Sequence, residues 1–184
     1  RRGPLTMAPS QLGSGTRSEP TRERANLQYH IQPLSLDRFG EPLHTFPAFT
    51  ASVANVQPTS RGHIRLKSAD PAAAPAIQPN YLSTDEDRRV AADSLRVTRR
   101  IVQQPALQAL HPVEYLPGVS IGDDDASLVK AAGDVGPTIT HPVGHAKMGR
   151  EPDPPAGVHE PRPGRGADSH RSADARVMPA RTPG

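Results

Sequence analysis

His141 is the residue in this sequence best suited to chemistry. It stands in Thr138-Ile139-Thr140-His141-Pro142-Val143-Gly144-His145-Ala146-Lys147-Met148-Gly149, and an imidazole titrates close enough to neutral pH to take a proton from a substrate hydroxyl. A histidine before a proline also fits a plain loop residue whose ring satisfies backbone groups. His145, four residues on, invites a zinc reading. The helical His-x-x-x-His motif needs a glutamate after its first histidine, but Pro142 stands there and works against a helix. No metal is therefore expected. The absence of cysteine excludes thiolate metal sites and disulfides. A second stretch, Gly13-Ser14-Gly15-Thr16-Arg17-Ser18, has the look of a phosphate-cradling glycine loop. Ser18 replaces the third glycine, no strand pattern precedes it, and Pro20 falls where the following helix should run. His159 and His170 lie in a stretch of Pro, Gly and Arg and reflect composition.

The elements that would position His141 change period along the chain. Residues 1–25, with Pro4, Pro9, Gly13, Gly15 and Pro20, read as loop. In Leu27 to Pro33, Leu27, Tyr29 and Ile31 alternate with Gln28, His30 and Gln32, the pattern of a half-buried strand. Phe46 to Val56 is a second extended stretch, and Ile64 and Leu66 mark a third. Turns between them, at Asp37 to Gly40 and Pro58 to Gly62, favour antiparallel pairing, because parallel strands need long crossovers. Helical spacing follows. Ser83-Thr84-Asp85-Glu86 predicts a capping box with Ser83 as cap and Glu86 reaching back. Val90, Ser94, Val97 and Ile101, flanked by Leu95, Thr98 and Val102, form one stripe ended by Pro105. A shorter helix is predicted from Asp123 to Ala132, with Gly133 after its end. The class predicted is α+β, an antiparallel sheet with flanking helices.

Composition limits what else the chain can be. It has 184 residues, 34% of them hydrophobic and 3% aromatic, with 22 prolines and 15 glycines. So little apolar surface predicts a folded part and an unfolded part. Residues 150–184 read as a divergent, disordered tail: from Arg150 to Arg171 the only large apolar residue is Val158. Of the 22 basic residues only Lys67, Lys130 and Lys147 are lysines. Such an excess of arginine can mark nucleic-acid binding. Here Arg88, Arg89, Arg96, Arg99 and Arg100 share a segment with Asp85, Glu86, Asp87 and Asp93, which reads as a solvated, charge-balanced helix face. No apolar run reaches the roughly 20 residues a membrane span needs. The opening Arg1-Arg2-Gly3-Pro4 has neither initiator methionine nor signal-peptide core, which predicts a chain starting mid-protein.

Several stretches, in this order, carry a resemblance. They are Pro58-Thr59-Ser60-Arg61-Gly62-His63-Ile64-Arg65-Leu66, Asp70-Pro71, Ile77-Gln78-Pro79-Asn80-Tyr81-Leu82, His141 to Gly149, and Asp174-Ala175-Arg176-Val177-Met178-Pro179. Together they resemble the C-terminal region of the glucose–methanol–choline (GMC) flavin oxidoreductases, nearest to choline-dehydrogenase-like alcohol dehydrogenases. The resemblance implies a connector over 1–26, a substrate domain over 27–149, and FAD held by a separate N-terminal domain. It implies that His141 faces the substrate hydroxyl as the proton-accepting base, and that Asp174 and Ala175 lie beside the flavin. His145 departs from the Thr usual in the family, and Arg176 from a small Ser, which puts cofactor contact there in doubt. The family's second catalytic residue, His or Asn, would follow Met178-Pro179, and the sequence stops first at Gly184.

The expected function is thus that of a C-terminal part of an FAD-dependent enzyme oxidising an alcohol, choline-like or another primary alcohol. This chain alone is expected to bind no FAD. Its partners would be a small alcohol and the missing FAD domain. The expected location is cytoplasmic, with membrane association of the parent left open. Two rival readings are a non-catalytic truncated or pseudogene-derived chain and an Arg-rich nucleic-acid-binding protein. Residues 150–173 lose the family pattern while keeping its length, which suggests a reading-frame slip; the other two frames of the coding DNA should then recover an apolar segment.

Overall fold

The computed structural model describes residues 10, 12–38 and 40–138. In chain order the elements are β1 (Leu12–Thr16), β2 (Leu27–Gln32), β3 (Thr50–Asn55), β4 (His63–Arg65), β5 (Ala76–Gln78), α1 (Asp85–Val102), α2 (Pro105–Gln108) and α3 (Asp125–Val135). The fold is α+β, with antiparallel sheets and helices, as the change of period predicts. One sheet runs β1-β2-β3 and a separate ribbon pairs β4 with β5. In the sheet Tyr29 stands opposite Ser14 on one side and Val53 on the other.

Alternation in β2 sends Leu27 and Tyr29 to the face covered by α1, where both are buried. Leu27, Tyr29 and Val53 pack there with Val90 and Val97. The Tyr29 hydroxyl reaches across the layer to Thr98 Oγ1 at 2.9 Å, so this polar atom enters the core with a partner. Burial pushes the Tyr29 phenol up to about 12, although the Thr98 hydrogen bond acts the other way. The second apolar side of α1, with Ala91, Ala92 and Leu95, meets Leu128 and Ala132 of α3. The small alanines let the two helices approach, and each fully buried leucine contributes about 1.5–3 kcal/mol.

Three boundaries differ from the sequence reading. Residues 12–16, expected as loop, form the edge strand β1; the pairing partner β2 makes this strand, since Leu12-Gly13-Ser14-Gly15-Thr16 has no apolar alternation. The turn back to β2 is fastened by Asn26, whose side chain accepts from Ser18 N at 2.8 Å and donates to Ser18 Oγ at 3.0 Å. Ile64 does not join the main sheet but pairs with Ile77 in the β4-β5 ribbon. Helix α3 runs through Gly133 to Val135, with Asp124 as cap and Gly136 closing onto Ala132.

Four of the five arginines of α1, Arg88, Arg89, Arg96 and Arg99, pair with acids, in line with the charge pattern. Arg88 meets Asp85, Arg89 meets Glu86, and Arg96 bridges Asp93 and Asp125. Arg99 makes a two-pronged contact with Glu114 at 2.9 Å for each bond. That pairing raises the Arg99 pKa against the opposing effect of partial burial and ties the loop after α2 back to α1. Arg22, in the turn before β2, forms ion pairs with Glu19 and Glu86 and so fastens that turn to the start of α1.

Candidate functional site

The Pro58-Thr59-Ser60-Arg61-Gly62 stretch and the start of α1 form one hydrogen-bonded unit, and Asp87 is its centre. Helical spacing puts Asp87 on the stripe of Val90, Ala91 and Ser94, and it is 4% exposed. Its Oδ1 accepts from Thr59 N at 2.8 Å and Thr59 Oγ1 at 3.1 Å. Its Oδ2 accepts from Ser60 N at 2.9 Å. Burial pushes this carboxyl up, but the hydrogen bonds from Ser60 and Thr59 outweigh it and hold the pKa below the usual 3.8. Asp87 is therefore not one of the solvated acids the sequence pattern made it. Two backbone N–H groups and a hydroxyl stabilise its charge in place of a cation.

The helix cap is displaced from its predicted position for a related reason. Thr84, not Ser83, caps α1, accepting from Asp87 N. The N–H groups of Ser83 and Thr84 are taken by Ser60 Oγ, at 3.0 and 3.4 Å. Glu86 turns away to Arg22 and Arg89 instead of reaching back. Thr59 and Thr84 hydroxyls meet at 2.6 Å. A small cavity of about 20 Å³ lies behind this unit, lined by Asn55, Ser60, Tyr81, Asp87 and Ser94 among others. It has room for a single water.

Gly62 explains the end of the motif. A Cβ there would stand 2.0 Å from Gln78 O and 2.5 Å from Pro79 O, so only glycine lets the two chain segments pass. Asn80, held at a φ of 57°, donates from its side chain to Arg61 O at 3.0 Å. Tyr81 follows, and its hydroxyl meets Thr138 Oγ1 at 2.9 Å. This bond fastens the chain three residues before His141. His141, His145, Asp174 and Ala175 themselves lie outside the described residues.

A match to known proteins decides what the unit belongs to. The family model for GMC oxidoreductase, in its C-terminal part, matches residues 58–183, beginning at the proline that opens the motif. The chain belongs to the GMC oxidoreductase family. Its relatives include an alcohol dehydrogenase [acceptor] of Pseudomonas putida, 36% identical over 180 residues, 97% of this chain and 32% of that protein. Oxygen-dependent choline dehydrogenase 1 of Chromohalobacter salexigens is 36% identical over 89% of this chain and 29% of its own length. The oxygen-dependent choline dehydrogenase of Klebsiella pneumoniae subsp. pneumoniae is also 36% identical, over 92% of this chain and 30% of its own. The chain thus spans about a third of the length of these relatives.

GMC oxidoreductases are FAD-dependent. The described residues do not fit a flavin phosphate cradle. Gly13-Ser14-Gly15 is paired as an edge strand against Tyr29 and its neighbours and does not open onto a helix start. The positions assigned to flavin by resemblance, Asp174 and Ala175, lie outside the described residues. Among the described residues no group of histidines and acids could hold a metal ion, and no helix is long and apolar enough to cross a membrane.

Sequence reasoning missed Asp87 and Tyr81 as organising residues. For Asp87 the signal was present: it lies three and four residues before Val90 and Ala91, on the buried stripe. For Tyr81 no local pattern announces a partner 57 residues away.

Proposed function

We propose that this chain is the substrate-facing, C-terminal part of an FAD-dependent oxidoreductase acting on the CH–OH group of an alcohol. The observation that carries the reading is the Asp87-centred unit at Pro58 to Gly62 together with the match from residue 58 onward. The names of the relatives, an alcohol dehydrogenase and a choline dehydrogenase, support an alcohol as the substrate, read here as choline-like or another primary alcohol. In the family the flavin supplies the hydride acceptor. The part of this chain is the proton: His141 accepts it from the substrate hydroxyl, so that the carbon–oxygen bond can gain double-bond character as hydride leaves. Tyr81, through Thr138, fixes the segment that delivers His141. Asp174 and Ala175 would touch the cofactor. Taken alone, the chain should be colourless when purified; bound flavin would count against this division of labour.

The test is a chimaera in which this chain replaces the matching third of the Pseudomonas putida alcohol dehydrogenase. Anaerobic bleaching of its flavin by a primary alcohol is the expected result. His141→Gln should slow the bleaching by about 10²–10⁴-fold, the usual worth of a general base. Equal rates with and without His141 would remove it from the mechanism. A chimaera that binds flavin but is never reduced would favour the rival reading, a non-catalytic chain.

A further inference from the structure

One arginine of α1 is left over once the ion pairs are assigned. Arg88, Arg89, Arg96 and Arg99 meet carboxylates, whereas Arg100 forms no ion pair among the described residues. Its charge falls on the Tyr29 phenol, which burial keeps neutral at physiological pH. Arg17, just after β1, is in the same position. Its guanidinium donates to the uncharged Pro20 carbonyl, at 3.4 Å, and meets no acid among the described residues. Both arginines are exposed.

The two side chains line one cleft. It opens where the turn after β1 faces the end of α1, has a volume of about 530 Å³, and counts Thr16, Arg17, Glu19 and Arg100 in its lining. That volume suits a small molecule. Glu19 is already engaged: Glu19 and Glu86 together balance Arg22 and Arg89. The charges of Arg17 and Arg100 are therefore left uncompensated in the cleft wall. Backbone amides do not make this site as they do in a glycine loop, because Ser18 N–H is held by Asn26 at 2.8 Å. Nor does the helix attract an anion here, since α1 presents its carbonyl end. Whatever attraction the cleft exerts comes from the two guanidiniums.

We propose that this cleft binds a small molecule carrying a phosphate monoester, with Arg17 and Arg100 sharing its oxygens and Thr16 adding a hydroxyl donor. A guanidinium is a planar fork of N–H donors. A carboxylate has two oxygens, and a single fork fills it. A phosphate monoester has three acceptor oxygens and close to two negative charges at neutral pH, so it can answer two forks at once. Two uncompensated arginines on separate elements therefore select phosphate over carboxylate. The inference draws nothing from the alcohol-oxidation reading and stands or falls apart from it.

The test uses the 184-residue chain and NMR of its arginine Nε–H groups, in ~20 mM NaCl so that screening is weak. Inorganic phosphate and ribose 5-phosphate should shift the Arg17 and Arg100 signals with a Kd of about 1 mM, the scale of a few charge-assisted bonds at an open site. Ribose and acetate at the same concentrations should leave them in place. Arg17→Gln and Arg100→Gln should each weaken phosphate binding about tenfold, through one lost charge-assisted bond. Arg65→Gln removes the same charge from β4, outside the cleft lining, and should leave the affinity unchanged. No shift at Arg17 and Arg100, an equal shift with acetate, or equal weakening by Arg65→Gln would overturn the proposal. So would a DNA duplex that binds where ribose 5-phosphate does not, which would point to a nucleic-acid surface instead. The wild-type titrations decide the matter even where a variant fails to fold.

Discussion

Asp87→Asn is the substitution that most directly tests how the GMC unit is held. The amide keeps one carbonyl oxygen, which can still accept from Thr59 N and Thr59 Oγ1, now at 2.8 and 3.1 Å in the native geometry. Its NH2 replaces Oδ2 and faces Ser60 N, 2.9 Å away, donor against donor. One charge-assisted bond is lost, at about 1.5–3 kcal/mol, and the surviving pair falls toward neutral strength. The sum expected is about 2–4 kcal/mol, read as urea unfolding of the whole chain followed by circular dichroism at pH 7. The pH dependence supplies a second, independent check. Because the folded carboxyl titrates below its unfolded value, its contribution is complete above the ordinary carboxylate range and disappears as pH falls through the folded value. The gap between wild type and Asp87→Asn should therefore close on acidification. A cost under about 0.5 kcal/mol, the range of ordinary surface changes, or a gap that stays constant down to acid pH, would refute the reasoning.

Other consequences follow from single contacts. Gly62→Ala places a Cβ against two backbone carbonyls; a loss of about 1–3 kcal/mol and disappearance of the Ile64–Ile77 cross-strand signals in NMR are expected. Tyr29→Phe should cost about 1 kcal/mol at neutral pH through the lost Thr98 bond. It should also flatten the alkaline limb: with a phenol raised from 10.0 to about 12 on folding, the wild type loses stability as pH rises through that window, and the variant lacks this component. Leu128→Ala, at the fully buried contact between α3 and α1, should lower stability by about 2–5 kcal/mol, measurable as a fall in Tm.

The sequence made α1 legible because one period governs the whole helix. Val90, Ser94, Leu95 and Thr98 repeat at helical spacing, and all are buried. β2 was legible for the same kind of reason. β1 was not: its residues are exposed or nearly so, and its extended form comes from β2 rather than from its own side chains. The cap on α1 was misplaced by one residue because Ser60, 23 residues earlier, claims the N–H groups that a local rule gives to Ser83. Of the site, the motif from Pro58 to Gly62 was recognisable as a string, but its physical meaning lay in Asp87 and in the backbone passing beside Gly62. His141 was picked out by residue type and resemblance, and it lies beyond the described residues.

The Asp87 clasp has a consequence for how this region can change over evolutionary time. By gripping Thr59 and Ser60 from a point 28 and 27 residues further on, it turns everything between into a closed excursion whose two feet are nailed to one spot. Lengthening such an excursion costs only the logarithm of its length, about 0.6 kcal/mol for each doubling. The β4-β5 ribbon, with Ile64 and Ile77 largely exposed, can therefore be extended, trimmed or exchanged while the sheet and α1 keep their places. It is where insertions should accumulate among homologues, and where a designer could splice a foreign loop with the least disturbance to the layer beneath.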